Sequence, residues 1–191
     1  KDKYRLPSEF LLYVGDINPN KNLACLIEAI RDLKNIPLVI VSQALKDKSA
    51  PEAKKLYSLI DKLNIGPRII ILSDLAMDSI NELAGVYSSA TVYVQPSLYE
   101  GFGLPVLEAM ACGTPVVSAN TSSLPEVIGE SGLLVKPTKN DLFLGIKKML
   151  QNKNMRQRFS GLGLIRSKLF TWENTARQTL GVYENYYANC K

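Results

Sequence analysis

Two hydrophobic periods take turns along this chain. Short apolar runs at residues 10–14, 37–41, 68–72, 91–94, 116–118 and 132–135 read as buried strands. Between them, apolar residues recur at helical spacing: Leu23, Leu26, Ile27 and Ile30; then Leu56, Leu59, Ile60 and Leu63 within 50–63; then Ile80, Leu83, Ala84 and Tyr87 within 78–89. A helix follows Pro105, and a short one spans 124–129. From Asp141 the chain turns helical, with Leu142, Ile146, Met149 and Leu150 in one stripe. A basic helix over 154–168 comes next, and Thr171 caps a terminal helix over 172–189. This alternation with short connections implies one domain over 1–191, a doubly wound parallel six-stranded α/β sheet with helices on both faces. Ligands of such sheets gather at the C-terminal ends of the strands. The loops 15–21, 73–75, 100–104 and 120–123 all fall there.

The stretch 93–117 organises the rest. Its strand breaks at Gln95-Pro96-Ser97, and Glu100-Gly101-Phe102-Gly103 forms a loop whose two glycines can take positive φ. Pro105 suits the first turn of the following helix, and Gly113 suits its C-terminal cap. A glycine-rich turn feeding a helix N-terminus aims backbone N–H groups and the positive end of the helix dipole at open space, which suits phosphate. Glu100 and Glu108 bracket that spot. Ionised carboxylates accept hydrogen bonds and donate none, so they suit hydroxyl groups. Phosphate beside hydroxyls describes a nucleotide sugar. Each piece also has a plainer reading: Glu100 as an offset to the dipole, Glu108 as a solvated helix face.

Composition narrows the chemistry. The chain has 23 Lys plus Arg against 18 Asp plus Glu, a formal charge of +5, and no basic run with interleaved aromatics, which disfavours nucleic acid. With no histidine, it has no histidine base, histidine metal ligand or Ser-His-Asp triad. Cys25, Cys112 and Cys190 lack pair spacing and read as free thiols of a reducing compartment. No apolar run is long enough to span a bilayer. The first strand ends Gly15-Asp16-Ile17-Asn18-Pro19, without the Gly-x-Gly-x-x-Gly of an NAD site. The start at Lys1 reads as that of an excised fragment.

Taken whole, the string of strand, Pro-Ser, Glu100, Gly-Phe-Gly-Leu-Pro, helix, Glu108, Ala-Met-Ala and Gly-Thr-Pro-Val-Val resembles the Glu-x7-Glu signature of the retaining group 1 (family four) glycosyltransferases. The likeness runs from Tyr13-Val14-Gly15 to the Trp172 helix. It implies the Rossmann-like C-terminal half of a GT-B fold, with 1–9 as a linker remnant and 171–189 as a helix crossing to an N-terminal domain. Without that domain Tyr183, Tyr186 and Tyr187 would be uncovered. By resemblance, Glu108 binds the ribose hydroxyls and Glu100 those of the transferred sugar. The N–H groups of Phe102, Gly103 and Leu104, with Lys21, would hold the diphosphate, Gly15 and Gly101 belong to the same donor-binding set, and Leu75 packs near the base. No metal and no cofactor beyond the nucleotide diphosphate sugar is implied.

The implied reaction is retaining hexose transfer from a GDP- or UDP-sugar to a glycan or lipid-linked acceptor held by the N-terminal domain. The place implied is the cytoplasm, at the inner membrane face through peripheral association. The first loop, Gly-Asp-x-Asn-x-Asn-Lys-Asn, leans toward polysaccharide or O-antigen mannosyltransferases. Asp16 departs from the family, standing where an arginine is usual, and an acid there repels a diphosphate unless paired. Three alternatives stay open: a GT-B sugar-nucleotide epimerase, a glycogen-type synthase, and a noncatalytic nucleotide-binding subunit, the last supported by Asp16.

Overall fold

The computed structural model describes residues 2–33, 36–75 and 80–189. Six strands form one parallel sheet: β1 (Leu11–Val14), β2 (Leu38–Val41), β3 (Ile69–Leu72), β4 (Val92–Gln95), β5 (Val116–Ala119) and β6 (Leu133–Val135). Their order is β3-β2-β1-β4-β5-β6. Leu11 pairs with Leu38 on one side and Val92 on the other, so the order reverses at β1 and β4. In an open α/β sheet the crevice for a ligand lies beyond the carboxyl ends at that reversal. The loops leaving β1 and β4 therefore build the site.

Among the described residues there are eight α-helices: α1 (Leu23–Asp32), α2 (Pro51–Lys62), α3 (Ile80–Ser89), α4 (Leu104–Ala111), α5 (Leu124–Ile128), α6 (Lys139–Gln151), α7 (Lys153–Ser167) and α8 (Trp172–Asn189). Alternate strand residues feed two cores, as a period of two requires. Leu11, Leu38, Ile40, Val92, Val94 and Val117 pack under α1, α2 and α6. Leu12, Val14, Val39, Val41, Tyr93 and Val116 pack under α3, α4 and α5. Strands buried on both faces explain why the apolar runs are continuous.

The structure departs from the sequence expectations in a few places. Gln95 continues β4 instead of breaking it. Helix α6 starts at Lys139, because Thr138 caps it by accepting from the Asp141 N–H. In α3 the deeply buried residues are Leu83, Val86 and Tyr87, while Ala84 is half-buried. The expected start of that helix at Asp78, the Ile80 side chain, Lys1 and Cys190 lie outside the described residues. Thr171 does cap α8 by accepting from the Asn174 N–H. No residue of α8 is buried; Trp172 is 83 % exposed, and Leu180, Val182, Tyr183, Tyr186 and Tyr187 are exposed along it. Among the described residues no helix is long and apolar enough to cross a membrane.

Candidate functional site

The loop after β1 is held from inside and outside. Gly15 has φ +152, and a Cβ there would sit 3.1 Å from the Tyr13 hydroxyl. That hydroxyl, kept protonated by burial, donates to the Asp16 carbonyl. Lys21 closes a short 3-10 turn, and Asn22 follows in the left-handed region at φ 53. The Asn22 amide donates to the carbonyls of Pro96 at 3.0 Å and Pro137 at 3.1 Å. Leu98 N–H donates to the Asn20 carbonyl at 2.7 Å, tying the β1 loop to the β4 loop.

These ties put Lys21 against Glu100. Its ammonium lies 2.8 Å from both carboxylate oxygens. Glu100 is 8 % exposed and Lys21 20 %. A carboxylate this enclosed needs a counter-charge and further donors. Gln95 Nε2 and the Ser97 hydroxyl each supply one, both at 2.8 Å to Oε1. An ammonium has three hydrogens. Two directed at Glu100 leave the third for another acceptor, such as a phosphate oxygen.

The loop from Glu100 to Leu104 is clamped by the loop after β5. Glu100 N–H donates to Ser122 Oγ at 2.8 Å, and the single Ser123 hydroxyl hydrogen is shared between the carbonyls of Glu100 at 3.0 Å and Phe102 at 2.9 Å. Gly103 precedes α4 at φ +100, and a Cβ there would meet Leu124 Cδ2 at 2.8 Å. Only glycine fits. Gly101, expected to share that freedom, does not have a positive φ, and a Cβ there meets nothing within 4 Å. The N–H groups of Gly101, Phe102, Gly103 and Leu104 have no acceptor among the described residues, and the first turn of α4 holds no acid. This end of α4 therefore offers bare donors and an unopposed dipole.

Glu108 lies one turn into α4 and is exposed. The hydroxyl of buried Tyr87, which burial and the neighbouring Tyr93 keep protonated, donates to Glu108 Oε2 at 2.8 Å. Oε1 has no partner among the described residues. Asp16, in the usual arginine position, is turned onto its own loop: Oδ1 accepts from Ile17 N–H at 2.6 Å and Oδ2 from Asn18 Nδ2 at 3.2 Å. Among the described residues it makes no ion pair. The Leu75 side chain is 1 % exposed and belongs to the core under α3, so any approach of a base at this turn is to its backbone.

The structure thus brings Lys21 onto Glu100, just before the Gly101–Leu104 amides, with Gly15 at the head of the loop that carries Lys21 and Glu108 on the helix that Leu104 starts. Sequence reasoning missed Gln95, Ser97, Tyr87, Ser122 and Ser123. The period-two spacing of Tyr93, Gln95 and Ser97 was the available signal for two of them. Cys25 and Cys112, the two described cysteines, are free thiols whose pKa burial pushes up.

Comparison with known proteins decides the family. The model of the glycosyl transferases group 1 matches residues 2–162. The chain belongs to that family. O-antigen chain mannosyltransferase B from Escherichia coli is 36% identical over 184 residues, 95% of this chain and 48% of that protein. Sucrose-phosphate synthase from Thermosynechococcus elongatus superposes with a TM-score of 0.85 at 31% identity, over 98% of this chain and 48% of that one. HepE from Anabaena, solved in complex with UDP-glucose, superposes at 0.79 with 22% identity over 93% of this chain and 49% of that one, a likeness of fold. The chain spans about half the length of these proteins. Its sheet is the Rossmann-like half of a GT-B fold.

Proposed function

We propose that this chain is the donor-binding half of a retaining hexosyltransferase that takes its sugar, mannose by preference, from a nucleoside diphosphate. The carrying observation is the convergence of Lys21, Glu100 and the unpaired amides before α4 at the reversal of strand order. The diphosphate rests on the Gly101–Leu104 amides, with Gly15 letting the β1 loop pass close by and the third hydrogen of Lys21 completing the grip. Charge grows on the leaving phosphate as the glycosidic bond breaks. Fixed dipoles and a fixed ammonium aimed there stabilise it without a metal ion.

Glu108 Oε1 takes the ribose hydroxyls, and Glu100 takes a hydroxyl of the transferred sugar. Neither acts as a covalent nucleophile, unlike the carboxylate pair of retaining hydrolases. The acceptor, a glycan or lipid-linked sugar, docks from an N-terminal domain at the membrane's inner face. Mannose is favoured by the likeness to an O-antigen mannosyltransferase. A nucleotide diphosphate sugar as donor is supported by a neighbour of the same fold solved with UDP-glucose. Calorimetry of the full-length protein with GDP-mannose and UDP-glucose tests the donor. Transfer assays of Glu100→Gln and Glu108→Gln test the roles. Binding of NAD in place of both nucleotide sugars, or near wild-type transfer by both variants, would reject this reading.

A further inference from the structure

Order at β4 runs past the end of the sheet. Tyr93, Gln95 and Ser97 stand at every second position, and their side chains meet on one side. They are 0, 1 and 0 % exposed. Polar groups buried so deeply are costly unless paired. Here they are paired in series. The Tyr93 hydroxyl, whose proton burial retains, donates to Gln95 Oε1. The Glu100 carboxylate fixes the amide: turned over, Gln95 would set its oxygen against that carboxylate. Both Nε2 hydrogens are then committed, to Ser97 Oγ at 2.7 Å and to Glu100 Oε1 at 2.8 Å. Ser97 accepts from Gln95 and gives its own hydrogen to the same Glu100 oxygen at 2.8 Å.

The series ends on a single atom. Glu100 Oε1 receives Gln95, Ser97 and Lys21, whereas Oε2 receives only Lys21 among the described residues. We infer that Gln95 and Ser97, backed by Tyr93, are positioning residues that lock the Glu100 carboxylate and saturate Oε1, leaving Oε2 as the atom that accepts a hydroxyl of the transferred sugar. This rests on the donor reading above. It adds that sugar recognition depends on two neutral side chains that need not touch the ligand. A buried network serving only the fold would have no reason to converge on one oxygen of a site carboxylate.

The bare nucleoside diphosphate lacks the sugar but shares every other contact, so it separates positioning from general damage. Ser97→Ala and Gln95→Met are compared with wild type in the full-length protein by calorimetry, using GDP-mannose, UDP-glucose, GDP and UDP. For the nucleotide that wild type accepts, the ratio of sugar-nucleotide Kd to nucleoside-diphosphate Kd rises roughly tenfold in either variant, the effect of losing one hydrogen bond to a charged group. An unchanged ratio, whether both affinities hold or both fall together, overturns the positioning role while leaving the donor reading intact. If wild type binds none of the four ligands, the donor reading falls and takes this inference with it. Should Gln95→Met fail to fold, Ser97→Ala, which removes one oxygen atom, carries the test alone.

Discussion

Replacing Lys21 with methionine leaves the Glu100 carboxylate, 8 % exposed, with two neutral side-chain donors and no counter-charge. Breaking one side of a buried pair generally costs about 3–5 kcal/mol. Because Lys21 is 20 % exposed, water reaches the gap, and the loss expected here is about 2–3 kcal/mol. Glu100→Gln is milder. Its amide oxygen still accepts from Ser97 and Gln95, and Lys21 can turn to solvent, so about 1 kcal/mol is lost. The double variant buries no charge at all. Its stability should lie about 1–2 kcal/mol below wild type, short of the 3–4 kcal/mol sum, giving a coupling of about 2 kcal/mol. Urea unfolding of the four proteins, read by circular dichroism with matching m-values, measures the cycle. Additivity within about 0.5 kcal/mol would falsify the account of an enclosed pair and reduce it to a solvated contact. Sugar transfer should not return in the double variant if, as proposed, both groups also contact the donor.

Other consequences follow from single positions. Gly103→Ala forces a side chain into φ +100 with its Cβ 2.8 Å from Leu124 Cδ2, and should cost about 2–3 kcal/mol in thermal unfolding and weaken nucleotide binding, whereas Gly101→Ala should melt as wild type does. Equal melting of the two would refute the stated role of Gly103. Tyr87→Phe keeps the buried ring and deletes the 2.8 Å bond to Glu108; stability should change by no more than about 1.5 kcal/mol while KM for the sugar nucleotide rises and kcat holds. An unmoved KM would mean that Glu108 needs no such support. Arg31 and then Lys139 hold the Asp32 carboxyl down to about 2. Its contribution to folding is therefore present above the ordinary value of 3.8 and fades as pH falls toward 2. An NMR titration should show that low midpoint and its rise in Lys139→Ala; no rise would assign the shift to Arg31 alone.

What the sequence disclosed and what it hid divide along contact distance. The strands were legible because burial on both faces makes their apolar runs continuous, as in Leu38–Val41. Gly113 and Thr171 were legible as caps because capping is decided by neighbours three or four residues away. The same local chemistry in Thr138-Lys-Asn-Asp141 marked the start of α6, yet the apolar stripe from Leu142 drew the boundary two residues late. Gln95 looked like part of a strand break because proline and a small polar residue follow it. Its burial is explained only by partners that fold onto it. The Lys21–Glu100 pair joins residues 79 apart, and no periodicity encodes that contact. The glutamates themselves stood out through their place in a long motif; their unequal surroundings, one enclosed and one exposed, did not.

That inequality bears on how the site operates. The loop before α4 is held by contacts within the chain. Ser122, Ser123 and the Thr121 hydroxyl, which donates to the Ser97 carbonyl at 2.7 Å, hold the loop from the β5 side. Phe170 meets the Phe102 ring edge-on at 5.8 Å from the segment that leads into α8. Arg166 lies over the Phe170 ring at 5.5 Å and donates to the carbonyls of Val127 and Glu126. The cost of ordering the loop is thus met by contacts already formed, and amides fixed in advance lose little further freedom when they meet developing charge. Glu108 has one hydroxyl partner and open solvent, so it can adjust to what it binds. Glu100 has three side-chain donors and cannot. Under the proposed binding mode the sugar end of the donor would meet the rigid acid and the nucleoside end the adaptable one, which would place discrimination where the bond is to be broken.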